Sequence, residues 1–130
     1  MIAVDTSALM AILLAEADGD ACIAALETGQ EVLISAGTMA EALIVAARRH
    51  VDEEMAALID DLGFTVVPVT APGARRVAAA YARWGKGVHP AGLNFGDCFA
   101  YVVARDHECP LLYVGDDFAQ TDVSATSSGP

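Results

Sequence analysis

The sequence predicts an α/β fold in which helices cover both faces of a parallel sheet. Short apolar runs alternate with longer segments of helical period along the 130 residues, an order that is typical of βαβ units. The first run leads directly into a carboxylate at Asp5, and open parallel sheets bind ligands at the carboxyl ends of their strands. We therefore expect three layers, α/β/α, around a central sheet of four or five short strands.

The first half of the chain predicts two strands, each followed by a pair of helices. Ile2–Val4 is too short for anything but a buried strand, and Thr6 or Ser7 is expected to cap the helix that follows. Ser35 precedes a long helical pattern in the same way. The predicted elements are strands at 2–4 and 31–35 and helices at 7–15, 18–26, 36–49 and 52–62.

The second half predicts two further strands and two helices around a glycine-rich loop. The strands are expected at 64–69, which is β-rich, and at 111–114, after Pro110. The helix that Thr70 and Pro72 open should bury Val77, Ala80 and Tyr81. Loop 85–96 has four glycines, and the helix that begins at 96–97 should bury Phe99, Val102 and Val103. One domain is expected at 1–123, with a flexible tail at 124–130.

Composition limits the possible function classes. Eighteen acids against seven bases give a net charge of −11, which argues against general attraction to nucleic acid or anionic membranes. This charge suits a basic protein partner or a metal ion. No apolar run is long enough to span a membrane, and the apolar segment 8–15 lacks the basic start of a signal peptide. Three widely spaced cysteines fit a reduced, cytoplasmic protein.

Five acids at four places in the chain stand out from the others by their placement. Asp5 ends the first strand, Glu41 lies among apolar helical residues, Asp97 opens an apolar helix, and Asp116 and Asp117 follow the last strand. In a parallel sheet these positions fall at one edge, where clustered carboxylates repel each other. Bound Mg²⁺, or Mn²⁺ as a substitute, would relieve that repulsion and would activate water for phosphodiester cleavage.

Each of these acids also has a purely structural explanation. Asp5 would serve equally well as a helix N-cap, and Asp97 as an acid that the helix dipole favours. Glu41 would extend to solvent from a helix edge, and Asp116 or Asp117 would form a turn. Only their combination, in this order, indicates a metal site.

The motifs that contain these acids resemble those of the PIN-domain ribonucleases, and more closely the VapC toxins of type II toxin–antitoxin systems. They are Val-Asp-Thr-Ser-Ala at 4–8, Glu41 in a helix after a strand, Asn-Phe-Gly-Asp-Cys-Phe-Ala-Tyr at 94–101, and Leu-Leu-Tyr-Val-Gly-Asp-Asp-Phe at 111–118. Loop 85–94 resembles that of one VapC subgroup. The resemblance therefore covers the whole chain apart from the tail.

The resemblance implies roles for individual residues. Asp5, Glu41 and Asp97 match the metal-binding acids of the family, and the turn at 115–118 supplies the fourth, either Asp116 or Asp117. Thr6 and Ser7 match the hydroxyls that steady the site. The candidates for contacts with RNA phosphates are Arg83, Lys86 and His89. The alternative is that these three are ordinary solvated side chains.

The resemblance also implies an activity and a set of partners. The activity is Mg²⁺-dependent endoribonuclease cleavage of structured RNA, tRNA or rRNA, through metal-activated water. The partners are a second copy in a homodimer and a VapB-like antitoxin whose tail occupies the cleft, with operator DNA bound only through the antitoxin. The alternative is a catalytically silent PIN-like dimer that acts as antitoxin partner and co-repressor.

Overall fold

A computed structural model describes residues 1–126, in which strands and helices alternate. The strands are β1 (Ile2–Val4), β2 (Val32–Ser35), β3 (Thr65–Val67) and β4 (Leu111–Leu112). The helices are α1 (Thr6–Leu13), α2 (Gly19–Leu26), α3 (Ala36–Arg48), α4 (Asp52–Asp61), α5 (Ala71–Trp84) and α6 (Phe95–Asp106), and a 3₁₀ turn covers Phe118–Gln120.

The four strands of the described residues form one parallel sheet in the order β3-β2-β1-β4. The chain first adds strands on one side of β1 and later returns to add β4 on the other side. The carboxyl end of β1 is therefore the point at which the strand order reverses, where parallel sheets open a crevice. Asp5 follows β1 immediately, so the fold places its carboxylate at this crevice.

Alternate residues of the strands pack into two separate apolar clusters, as expected for a sheet covered on both faces. Ile2 and Val4 of β1 pack with α1–α4, whereas Ala3 faces α5 and α6. Leu111 and Leu112 of β4 divide between the faces in the same way. The predicted three-layer α/β/α fold with a parallel sheet is confirmed.

Several predicted details are wrong at the edges of these elements. β3 covers only part of the predicted 64–69, and β4 ends two residues before 114. Tyr81 is 39% exposed, because α5 buries Val77, Ala80 and Trp84 and leaves position 81 at the margin of that stripe. Phe99 is only half-buried.

The end of the described chain lies against the sheet. The Leu111 N–H donates to the Ser124 carbonyl at 2.8 Å, and residue 125 forms an isolated parallel bridge with Leu111. The predicted tail at 124–130 thus begins in contact with β4, and 127–130 lie outside the described residues. Within 1–126 no helix is both long and apolar enough to cross a membrane.

Candidate active site

Asp5 caps α1, and one of its two carboxylate oxygens is left without a partner. Its Oδ2 accepts hydrogen bonds from the Ser7 backbone N–H at 3.0 Å and from the Ser7 hydroxyl at 2.6 Å. The prediction that Thr6 or Ser7 provides the cap is therefore wrong. Asp5 Oδ1 is buried and has no hydrogen-bond partner among residues 1–126. Because a cap uses one oxygen and a buried unpaired oxygen is costly, capping alone does not account for this carboxylate.

Ser7 links the first strand to the last. Its hydroxyl donates to Asp5 and accepts the backbone N–H of Val114 at 3.0 Å, where the chain leaves β4. Ser7 thus fixes the orientation of the Asp5 carboxylate, and the Val114 N–H on the other side of the crevice holds Ser7 in place. This contact gives a physical reason for a hydroxyl at position 7.

Glu41 of α3 reaches the same crevice through contacts with two residues. The Thr6 hydroxyl donates to Glu41 Oε1 at 2.7 Å. The other carboxylate oxygen lies against Gly96 in the first turn of α6, where an added Cβ atom would overlap the carboxylate. Gly96 therefore permits a close approach between α3 and α6 that any other residue would obstruct. Gly96 has no role in the sequence-based prediction, although its place directly before Asp97 was a usable signal.

Asp97 is fixed by a reciprocal pair of hydrogen bonds at the start of α6. Its Oδ2 accepts the Asn94 N–H at 2.9 Å, and Asn94 Oδ1 accepts the Asp97 N–H at 2.8 Å. This capping box makes Asn94 the N-cap and Phe95 the first helical residue, so the predicted start at 96–97 is late by one to two residues. Asn94 is a second site residue that the sequence reasoning left without a role.

The electrostatics of Asp5 and Asp97 show that the acids form one group. Burial raises the pKa of Asp5 to about 7, against the lowering effect of its hydrogen bonds from Ser7, and the charges of Asp97 and Glu41 raise it further. Burial also raises the pKa of Asp97 to about 6, with further contributions from Glu41 and Asp117. Perturbed carboxylates of this kind are typical of functional sites.

The two acids of the turn after β4 differ in their surroundings. Asp117 lies close enough to Asp97 to raise the pKa of that carboxyl. The charge of Asp116 instead raises the pKa of the Tyr113 hydroxyl, after the larger effect of burial. These electrostatic contributions therefore favour Asp117 over Asp116 as the fourth acid of the cluster.

The cluster fits a hard cation by its chemistry, but its side chains do not form a ready coordination sphere. Within residues 1–126, no three carboxylate, imidazole or thiol groups converge closely enough to hold a metal ion. One oxygen each of Asp5, Glu41 and Asp97 is instead engaged by a neighbouring donor. The unpaired Asp5 oxygen and an all-oxygen donor set nevertheless match the preferences of Mg²⁺ and Mn²⁺.

The three basic residues that are candidates for RNA binding have their contacts outside the carboxylate cluster. Arg83 lies 4.3 Å from the centroid of the Trp84 ring and forms a 3.4 Å ion pair with Asp122. His89 packs edge-on against the same ring, and its Nδ1 accepts the N–H of residue 91. Lys86 is exposed. Among the described residues, no hydrogen bond or ion pair joins these three to the carboxylates, so their role in RNA binding stays a prediction.

Trp84 itself belongs to a buried hydrogen-bond chain between α5 and α6. Its Nε1–H donates to the Tyr101 hydroxyl at 3.0 Å, which donates to Asp122 Oδ1 at 2.6 Å. Arg83 and Arg105 approach the same Asp122 carboxylate from outside. Trp84 therefore has a packing role, because its ring is buried and its N–H already donates to Tyr101.

Comparison with known proteins places this geometry in a family. Residues 2–124 match the model of the PIN domain. Ribonuclease VapC28 of Mycobacterium tuberculosis is 44% identical over 124 residues, which are 92% of this chain and 93% of that protein. Ribonuclease VapC36 of the same organism is 41% identical over 124 residues, with 92% and 89% covered.

Solved structures agree in fold. The crystal structure of M. tuberculosis VapC20, described as a Sarcin-Ricin loop cleaving toxin, has a TM-score of 0.79 at 19% identity and covers 97% of this chain and 98% of its own. A toxin–antitoxin complex from Klebsiella pneumoniae has a TM-score of 0.70 at 20% identity, with 97% of each chain covered. At these identities the likeness establishes the architecture alone.

Proposed function

The chain belongs to the VapC toxin family of PIN-domain ribonucleases, and we propose that it is a Mg²⁺-dependent endoribonuclease that cleaves tRNA or rRNA. The observation that carries this proposal is the buried Asp5 carboxylate, whose second oxygen has no hydrogen-bond partner among the described residues. It lies within electrostatic range of Asp97 and Glu41. A group of acids this costly to bury is hard to account for in a protein that only packs against partners.

We assign the acids separate tasks. Asp5, Glu41, Asp97 and Asp117 would hold Mg²⁺, or Mn²⁺ in its place, and Asp116 lies outside the set. The bound ion would supply an activated water and charge stabilisation for phosphodiester cleavage. Ser7 and Thr6 orient Asp5 and Glu41 through their hydroxyls.

The partner we propose is a basic antitoxin of the VapB kind. A net charge of −11 favours a basic polypeptide, and an Arg guanidinium suits a carboxylate cluster because it forms paired hydrogen bonds. Such a tail would block the crevice while it neutralises the acids. Homodimer formation and operator binding through the antitoxin alone belong to the same proposal.

Cleavage of total tRNA and rRNA by antitoxin-free protein tests the activity. We expect discrete cuts with Mg²⁺ or Mn²⁺ and none with EDTA. Asp5→Asn, Asp97→Asn and Asp117→Asn should abolish cleavage and still bind the antitoxin, more weakly by the one carboxylate that its basic tail loses. Asp116→Asn is the matched control, since it removes an exposed charge from the same turn and should cleave like the parent chain.

Two results would count against the proposal. Undiminished cleavage by both Asp5→Asn and Asp97→Asn would refute the assignment of the site. A folded protein that binds its antitoxin but cuts no RNA with either metal would favour the silent partner and co-repressor instead.

A further inference from the structure

The positive charge of this acidic chain is concentrated in one segment. Residues 62–96 contain four of the seven bases and none of the 18 acids. This segment forms β3, α5 and the loop that leads to α6, and every charged side chain of α5 is an arginine. A protein with a net charge of −11 therefore carries a helix whose charged groups are all positive.

A groove of about 190 Å³ between α5 and α6 is bordered by three of the arginines. Arg76 and Arg83 lie two turns apart on α5, and therefore on the same flank of the helix, and Arg105 lies in the last turn of α6. The side chains of these three arginines are 51%, 62% and 52% exposed. Trp84 and Val102 also line the groove, but both are buried, so its accessible groups are mainly guanidiniums.

The three guanidiniums keep hydrogen-bond donors free for a ligand. Arg105 lies 3.8 Å from Asp122 and donates no hydrogen bond to any described residue. Arg83 reaches Asp122 through one nitrogen at 3.4 Å, beyond the usual range of an N–H···O bond. Arg76 directs two nitrogens at a single oxygen of Asp106. Exposed ion pairs of this kind contribute little stability, so they compete weakly with an incoming anion.

The position of Arg83 is fixed before any ligand binds. Its guanidinium carbon lies 4.3 Å from the centroid of the Trp84 ring, within the range of a cation–π contact. The Trp84 ring is held in turn by the hydrogen bond from its Nε1–H to the Tyr101 hydroxyl. A side chain that is already ordered loses less conformational entropy on binding, which favours Arg83 as a binding group.

We propose that this groove binds phosphates of the RNA strand that is cut, a few nucleotides from the scissile phosphate. The inference rests on the proposed ribonuclease function and adds a substrate-binding site to it. Helix α6 connects the two places, since Asp97 lies in its first turn and Arg105 in its last turn, about 12 Å apart along the helix axis. The planar fork of a guanidinium matches the oxygens of a phosphate. Of the three candidates for RNA binding, only Arg83 lines the groove.

The surroundings of the groove favour RNA over a protein partner. Protein interfaces bury a core of apolar and aromatic side chains, but none of the exposed large apolar side chains among residues 1–126 lines this groove. A second copy of this chain would therefore find charge here but no apolar surface to bury. A basic antitoxin would be repelled by the three arginines. Interfaces with nucleic acid are polar and positively charged, as this groove is.

The salt dependence of cleavage tests the groove against a matched control. Arg83→Gln and Arg105→Gln should each raise KM for RNA about threefold to tenfold, with little change in kcat. Each should also reduce the slope of log kcat/KM against log salt concentration by about 0.7 for the lost phosphate contact. Arg49→Gln removes the same charge from an exposed arginine at the end of α3 and should change neither quantity. Thermal melts check that each variant is folded.

Substrates with one uncharged linkage identify the phosphate that the groove binds. Once the cut is located, oligoribonucleotides that span it are made with one phosphate at a time replaced by a methylphosphonate, next to a 2′-O-methyl sugar that keeps the linkage stable. At the bound position this replacement should slow cleavage by the parent chain but not slow Arg83→Gln further, since the lost charge and the lost guanidinium remove the same contact. Arg83→Lys, which keeps the charge, should retain most of the salt dependence.

The outcomes distinguish this inference from the proposed function. If the parent chain cuts RNA and the groove variants match Arg49→Gln in KM and in salt slope, the groove is overturned while the nuclease stands. If the groove variants alter antitoxin binding, or the oligomeric state measured by sedimentation, and leave KM unchanged, the groove serves a protein partner and the inference is wrong. If the parent chain cuts nothing, the proposed function and this binding site fail together.

Discussion

Replacement of Asp5 by Asn should make the metal-free protein more stable at alkaline pH, although it destroys the proposed site. Asp5 is 3% exposed, and its pKa in the folded state is about 7 rather than 3.8. A carboxyl with a raised pKa contributes its full stability only below its unfolded pKa of 3.8, and that contribution is lost progressively as the pH rises from there through about 7. Asn keeps an acceptor for Ser7 but never becomes charged.

The expected magnitude follows from the raised pKa. A rise from 3.8 to about 7 corresponds to roughly 4 kcal/mol of lost stability above pH 7. We expect Asp5→Asn to recover about half of this or more at pH 8. For a domain of this size such a gain raises the melting temperature by roughly 10 °C. Below about pH 4, where Asp5 is protonated in the folded and the unfolded state alike, the two proteins should differ little, and the gap should widen steadily up to about pH 7.

Thermal melts of both proteins in EDTA, from about pH 4 to about pH 8.5, measure this effect. Asp116→Asn serves as the control, since it makes the same substitution at an exposed carboxylate in the turn after β4. The reasoning is refuted if the gap between Asp5→Asn and the parent is constant with pH, or if the variant is the less stable protein at pH 8.

Three further predictions concern the metal and the packing around the site. Mg²⁺ or Mn²⁺ should raise the melting temperature of the parent chain by mass action, and Asp97→Asn should blunt that rise; an undiminished response would place the ion elsewhere. Gly96→Ala should slow cleavage about tenfold or more, because the new Cβ displaces Glu41; an unchanged rate would show that Glu41 is dispensable. Tyr101→Phe should lower the free energy of unfolding in urea by about 1–3 kcal/mol, since Trp84 loses its acceptor; it should leave cleavage unchanged, and a slower variant would tie this network to catalysis.

The sequence was sufficient to predict the fold and to bring Asp5 and Asp97 to one edge of the sheet, because both depend on local patterns. Apolar runs and helical periods are properties of neighbouring residues, and the rule for parallel sheets then brings Asp5 and Asp97 to one edge. Glu41 was identifiable because a carboxylate among apolar residues is unusual.

The contacts that orient these acids could not be predicted from local sequence patterns, because they join residues that are far apart in the chain. Gly96 matters only because α3 packs across the first turn of α6, and Ser7 only because β4 lies beside β1. The choice between Asp116 and Asp117 depends likewise on the direction of a turn. The exposure of Tyr81 could not be predicted for the same reason. The number of α5 residues that are buried depends on which elements pack against that helix.

The adjacency of β1 and β4 has a consequence for the order of events during synthesis. Ser7 receives the N–H of Val114, 107 residues later, so a nascent chain holds Asp5 long before the strand that braces it has been translated. The crevice is therefore assembled only after β4 and Val114 have been synthesised. A nascent chain that lacks β4 also lacks the contact that fixes the Asp5 carboxylate, so the proposed site stays incomplete until β4 joins the sheet.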